Sequence, residues 1–124
     1  MSTSEDMLTI MQVITQADQL AGQKDAASYV ALFAEDGAIV GTQGTATGHA
    51  ELKQMVQNVW QKEGHTLHLT NSILIQDLTT TTATATSVLL IIDANSQQNV
   101  SVAQITHTLA KIDGRWVFTK RQIA

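Results

Sequence analysis

The sequence predicts an α+β domain in which three N-terminal helices pack on one face of a curved antiparallel sheet. Three observations lead there. The apolar pattern changes once along the chain, from helical spacing before Gly64 to runs rich in Thr, Val, Ile and Leu after it. The second half is interrupted by turn-forming clusters at residues 77–80, 93–96 and Asp113-Gly114, the last a tight-hairpin signal. At 124 residues the chain is long enough for one core and too short for two, so residues 1–124 are expected to form a single domain.

Each element has its own local signature. Ser4 can cap a first helix that opens with Glu5 and Asp6, acids suited to the positive end of a helix dipole. Met7, Ile10, Met11, Ile14, Ala17 and Ala21 then recur as one apolar face, and Gly22 ends it. A second helix is expected over residues 25–34, capped by Asp25 and stopped by the turn Glu35-Asp36-Gly37. The short strand Ala38-Ile39-Val40 leads into a hairpin loop, Gly41-Thr42-Gln43-Gly44. The third helix starts after Gly48, carries Leu52, Met55, Val56, Val59 and Trp60 as a complete stripe, and closes at Gly64. Four strands in a meander follow, over residues 65–75, 81–92, 100–112 and 115–123. Val88-Leu89-Leu90-Ile91-Ile92 is apolar on both strand faces, and helices can cover only one of them. A homodimer through the outer sheet face is therefore expected.

Composition removes several classes of function. Seven Lys and Arg against eleven Asp and Glu leave a net charge of −4 with no basic stripe, so no nucleic-acid partner is expected. The absence of cysteine excludes disulfides, a thiolate nucleophile and a Cys-based metal site. The polar, acidic start of the chain is unlike a secretion signal, and no apolar run reaches membrane-spanning length. A cytoplasmic protein without membrane contact is the expectation. His65-x-x-His68 would point its two rings to opposite faces of a strand, so no metal site is expected. No phosphate-binding loop or nucleophile-elbow sequence is present, and no cofactor is implied.

Three polar residues stand out from apolar surroundings. His68 is an imidazole in the run Leu67-His68-Leu69, able to act as acid, base or hydrogen-bond partner near neutral pH. Asp18 falls inside the stripe of Met7, Met11 and Ile14, where a carboxylate needs a partner or water at the helix rim. His107 shares a strand face with Ala103, Ile105 and Leu109, and either lines a pocket or is simply buried. Trp60 is a core residue or a pocket wall.

The chain also resembles a known family. The resemblance rests on Lys24-Asp25 through Phe33-Ala34-Glu35-Asp36-Gly37, on Gly48 opening the third helix, and on Leu67-His68-Leu69-Thr70-Asn71. It continues through Ala83-Thr84-Ala85-Thr86-Ser87 and Lys111-Ile112-Asp113-Gly114-Arg115-Trp116-Val117-Phe118 with Arg121. Together, and in this order over nearly the whole chain, these pieces look like a SnoaL-like member of the nuclear-transport-factor-2-like superfamily. Ketosteroid isomerase, scytalone dehydratase and polyketide cyclases are its relatives. The resemblance implies a cone of helices and curved sheet around a deep, mostly apolar pocket. It also implies that His68 matches the pocket histidine of dehydratase-type relatives, and that His107 aligns with an oxyanion-facing position of ketosteroid isomerase.

Departures from the family pattern fall where acids are needed. Gly41 stands at the general-base position of the isomerase, and roughly Ala17 at its oxyanion tyrosine. Gly22 stands where dehydratase-type relatives place an acid three residues before Asp25. The resulting expectation is a cofactor-free lyase, isomerase or cyclase acting on a small hydrophobic carbonyl or hydroxy compound. His68 would move a proton, Asp18 would orient His68, and His107 would polarise an oxygen, with Trp60, Ile14 and Met11 lining the pocket. The missing acids favour an alternative, a non-catalytic binder of the same ligands, and a dimerisation module with a vestigial pocket is a third reading.

Overall fold

The computed structural model describes residues 3–42 and 44–124. Three helices, α1 (Thr3–Gln23), α2 (Ala26–Val30) and α3 (His49–Glu63), pack on the concave side of one curved sheet. Its six strands are β1 (Phe33–Gly41), β2 (Gly44–Thr47), β3 (Thr66–Leu78), β4 (Thr82–Asp93), β5 (Asn99–Ile112) and β6 (Arg115–Ile123), in the order β2-β1-β6-β5-β4-β3. All neighbours are antiparallel except β1 and β6. The sheet is open, with β2 and β3 at its edges.

Helix α1 already includes Thr3, so Ser4 lies within it instead of capping it. The buried face is Asp6, Ile10, Ile14, Ala17, Asp18 and Ala21. Met7 and Met11 sit on the flank of this stripe, about 40% and 39% exposed. Asp6 is drawn in because its Oδ1 accepts the indole N–H of Trp116 at 3.0 Å, which ties the start of α1 to β6. Asp25 caps α2 by accepting the Ser28 amide, as expected, but this helix stops at Val30.

Phe33 and Ala34 belong to β1, not to the helix, and Glu35-Asp36-Gly37 is an irregularity within that strand instead of a turn before it. Phe33 pairs with Phe118 and Ala38 with Lys120, so the residues between 33 and 38 loop out of the ladder. Gly37 lets this excursion close. A Cβ built on it would lie 3.0 Å from both the Ala34 and the Phe118 carbonyl oxygens. Gly41 pairs with Gly44 across the β1–β2 turn, as the hairpin reading requires, and Gln43 lies outside the described residues, as do Met1 and Ser2. Gly48 and Gly64, both at positive φ, bound α3.

Strand β3 has an inverted polarity. Thr66 and His68 are buried and Thr70 half-buried on the concave face, whereas Leu67 and Leu69 point outward. An irregularity between Asn71 and Leu74, with Ser72 at φ 57°, reverses this phase, so that Ile73 and Ile75 turn inward beyond it. Asn71 is exposed, opposite in facing to His68. Among the described residues no helix is long and apolar enough to cross a membrane.

The crowding at Gly37 predicts that Gly37→Ala destabilises the domain by about 1–3 kcal/mol, the usual range for overpacking against atoms that cannot retreat. Urea unfolding measures it; an unchanged midpoint would show that the β1 excursion relaxes freely.

Candidate active site

A cavity of about 180 Å³ opens between the helices and the concave sheet face. Its walls come from α1 (Asp18, Ala21), α2 (Tyr29), α3 (Met55, Val56, Val59, Trp60, Glu63) and the sheet (His68, Leu89, Ile91, Ile105, Arg121 and others). His68, Asp18 and Trp60, expected at the site from sequence, all border it. The other three expected residues do not. Ile14 is fully buried in the core, because it lies on the centre of the α1 face that packs against the sheet. Met11 is on the exposed flank of that helix. His107 is completely buried but sits behind Arg121, which takes the cavity surface in its place.

Two polar clusters meet the cavity. The first centres on Arg121, fully buried on β6. Its Nη2 donates to Asp18 Oδ1 at 2.9 Å, its Nη1 to the Tyr29 hydroxyl at 2.8 Å and its Nε to His107 Nδ1 at 3.3 Å. The guanidinium also lies over the Phe118 ring, 5.0 Å from its centroid. Burial alone would favour losing the charge, but Tyr29 and Asp18 outweigh it and hold the Arg121 pKa above its ordinary value. Thr70 Oγ1 donates to the second oxygen of Asp18 at 2.5 Å. The carboxylate of Asp18 is therefore satisfied at both oxygens, and it does not orient His68.

Tyr29 and His107 are both neutral within this cluster. Burial raises the Tyr29 phenol above its ordinary value, with Arg121 opposing. Because the phenol oxygen accepts from Arg121, its own proton is not spent on any partner among the described residues. Burial, then the charge of Arg121, lower the His107 pKa from 6.5 to about 2. With Nδ1 accepting from Arg121, the ring proton is on Nε2 and is given to Ser87 Oγ at 2.8 Å.

The second cluster centres on His68. Its Nε2 donates to Glu63 Oε1 at 2.5 Å, and Thr66 Oγ1 donates to the same oxygen at 2.6 Å. Burial would raise the Glu63 pKa, but the hydrogen bonds from His68 and Thr66 and the charges of His68 and Lys24 bring it below the usual value. The carboxylate is thus ionised and can only accept. His68 Nδ1 is buried and has no partner among the described residues. No local pattern in the sequence directly marks Glu63, Tyr29 or Arg121 as site residues. Glu63 carries an indirect signal, since strand alternation puts Thr66 and His68 on one face just past the turn at Gly64 that closes the helix bearing it.

The neutrality of His107 has a consequence for stability. The native state keeps this ring unprotonated at pH values where the unfolded chain protonates it, so stability present above about pH 6.5 is lost as pH falls below it. One such group contributes roughly 1.4 kcal/mol per pH unit once the unfolded histidine is fully charged. Urea unfolding between pH 7 and pH 5 is expected to show a steeper loss in the wild type than in His107→Gln. Equal slopes would mean that His107 titrates in the folded protein.

Comparison with known proteins agrees with this architecture. The model of the SnoaL-like domain family matches residues 2–122. A Nostoc punctiforme protein of unknown function with a cystatin-like fold is 28% identical, with a TM-score of 0.89, covering 98% of this chain and 91% of that one. An NTF2-like protein with a cystatin-like fold from Novosphingobium aromaticivorans is 22% identical over 97% of this chain and 81% of its own, with a TM-score of 0.84. Another protein of that organism, provisionally assigned as a scytalone dehydratase, is 24% identical over 95% of this chain and 82% of its own, at a TM-score of 0.81. No curated protein matches. With an open curved sheet, three helices on its concave face and a family match over nearly its whole length, the chain belongs to the SnoaL-like domain family, with the NTF2-like fold.

Proposed function

We propose that the chain is a cytoplasmic, cofactor-free enzyme of the isomerase, dehydratase or cyclase kind, acting on a small hydrophobic carbonyl or hydroxy compound. The observation that carries this reading is the buried His68 Nδ1, which borders an apolar-walled cavity and lacks a partner among the described residues. Buried polar atoms in folded proteins are almost always paired, and one left open at a cavity is suited to a ligand group. With Nε2 committed to Glu63, the Nδ1 lone pair can remove a proton from a carbon beside a carbonyl or from a hydroxyl. On the cavity wall formed by α2, the unspent Tyr29 proton, polarised by the Arg121 charge, can be donated to an oxygen that gains negative charge. Tyr29 takes the part that the sequence assigned to His107.

The cavity volume limits the substrate. At about 180 Å³ it is close to the roughly 150 Å³ that accommodates a benzene ring, so one six-membered ring is the natural size. A second reading, a binder without turnover, is favoured by the engagement of Asp18 with Arg121 and Thr70 and of Glu63 with His68, which leaves no uncommitted carboxylate among the described residues of the cavity wall.

Two experiments test these points. Deuterium exchange at the carbon beside the carbonyl of single-ring ketones, followed by NMR in D2O, is expected to be catalysed by the wild type. His68→Ala is expected to slow it by about 10²–10⁴-fold. Ketones that bind without exchanging would establish the binder reading instead. We also propose that the chain forms a homodimer through the outer sheet face, where Leu69 pairs with Leu90 and Leu90 with Val102 in an apolar patch. Leu69 is 40% and Val102 61% exposed. Sedimentation is expected to give a dimer for the wild type and a monomer for Val102→Lys; a monomeric wild type at high concentration overturns the interface.

A further inference from the structure

We infer that Glu63 is the positioning residue of the site: it fixes the tautomer of His68 and so makes Nδ1, not Nε2, the atom that meets the ligand. The chemical meaning of this inference rests on the cavity being a ligand site, as proposed above. Its physical basis does not.

The argument starts at Gly22. A Cβ built there would lie 3.3 Å from the His68 backbone nitrogen and 3.7 Å from His68 Cδ2. Position 22 is therefore the point where α1 packs directly on β3 beside the imidazole. A carboxylate carried on α1 at this point would have to share that space with the ring and the strand. Glycine leaves the helix close against the strand and leaves the ring without an acid from α1. The acid arrives instead from the last residue of α3. The chain turns at Gly64 and re-enters as β3, which brings Glu63 and His68, five residues apart, to 2.5 Å.

Three features hold Glu63 in this role. Thr66 donates to the same Oε1 and restricts the rotation of the carboxylate. Lys24, just beyond α1, donates its ammonium to the Gly64 carbonyl, which anchors the turn and adds a positive charge near the carboxylate. The depressed pKa of Glu63 keeps it an acceptor throughout the neutral range. A carboxylate that can only accept compels Nε2 to carry the ring proton, and the neutral ring then has its lone pair on the unpartnered Nδ1. The site consequently selects a group that gives a proton to His68, a hydroxyl or an activated C–H. Facing the neutral ring, a bare carbonyl oxygen is disfavoured at that position because two lone pairs would oppose each other.

The tautomer can be read directly in ligand-free protein. Nitrogen-15 correlation NMR of the histidine rings, at a pH of about 9 where imidazoles are neutral, is expected to show His68 as the Nε2–H form. In Glu63→Gln the amide N–H₂ can donate to Nε2, so the Nδ1–H form is expected to become the major one. In Glu63→Met the carboxylate is lost without a replacement donor, and a mixture of tautomers is expected. A purely structural Glu63 would leave the tautomer unmoved in these variants. The inference is overturned by a wild-type His68 protonated on Nδ1, or by folded Glu63 variants that keep the Nε2–H form. Unfolding of both variants assigns Glu63 to stability and likewise overturns it. Absence of ketone exchange alongside the expected tautomers would remove the proposed enzyme activity while leaving the role of Glu63 intact.

Discussion

The rest of the site depends on the buried pairing of Asp18 with Arg121. Removing a guanidinium from water is costly, and the cost is met only when charge and hydrogen bonds are returned in good geometry. Here Arg121 on β6 gives donors to α1 through Asp18, to α2 through Tyr29 and to β5 through His107. One side chain thereby fixes two helices relative to the sheet and sets the depth of the cavity. It also determines the states of its neighbours. His107 stays neutral first because it is desolvated and then because a cation lies against it, and Tyr29 keeps a donor available because its oxygen is already occupied as an acceptor.

The inverted polarity of β3 has two consequences on opposite sides of the sheet. A strand of a one-layer sheet normally turns its apolar side chains to the helices. Before the irregularity at Ser72, β3 instead turns Thr66, His68 and Thr70 inward, where Glu63 and Asp18 receive them. The leucines between them face out and add to the apolar patch of β4 and β5. The same alternation supplies the polar wall of the cavity and the proposed dimer face. Moving the register by one residue would exchange them and destroy both.

Much of the fold was legible because local chemistry and tertiary demand agree in most elements. The stripe of α3, the glycines at its ends, the Asp25 cap and the Asp113-Gly114 hairpin all appear as read. The failures have specific causes. Met7 and Met11 fit a helical period, but the periodic pattern admits more than one centre for the buried face. Packing of Asp6 against Trp116 selected the one that leaves them on the flank. Helix α2 ends earlier than its local pattern predicts because Phe33 and Ala34 suit either state, and pairing with Phe118 on a strand far ahead in sequence draws them into β1. His68 and Asp18 are recognisable as polar residues in apolar settings, yet they do not pair with each other as the sequence predicts. Each pairs across the fold or across a turn with a residue that looked ordinary where it stood.

The sequence by itself determined the class of the fold and the anomaly of an aspartate on a buried helix face. These follow from periodicity and from the cost of burying polar groups, which operate within a few residues of chain. Tertiary structure alone decided which groups meet. Arg121 reaches Asp18 from more than a hundred residues away, and Glu63 takes the place beside His68 that Gly22 leaves without an acid. Such pairings depend on the curvature of the sheet and the seating of helices upon it. They are set by the sum of many packing contacts, and no local pattern of residues encodes that sum.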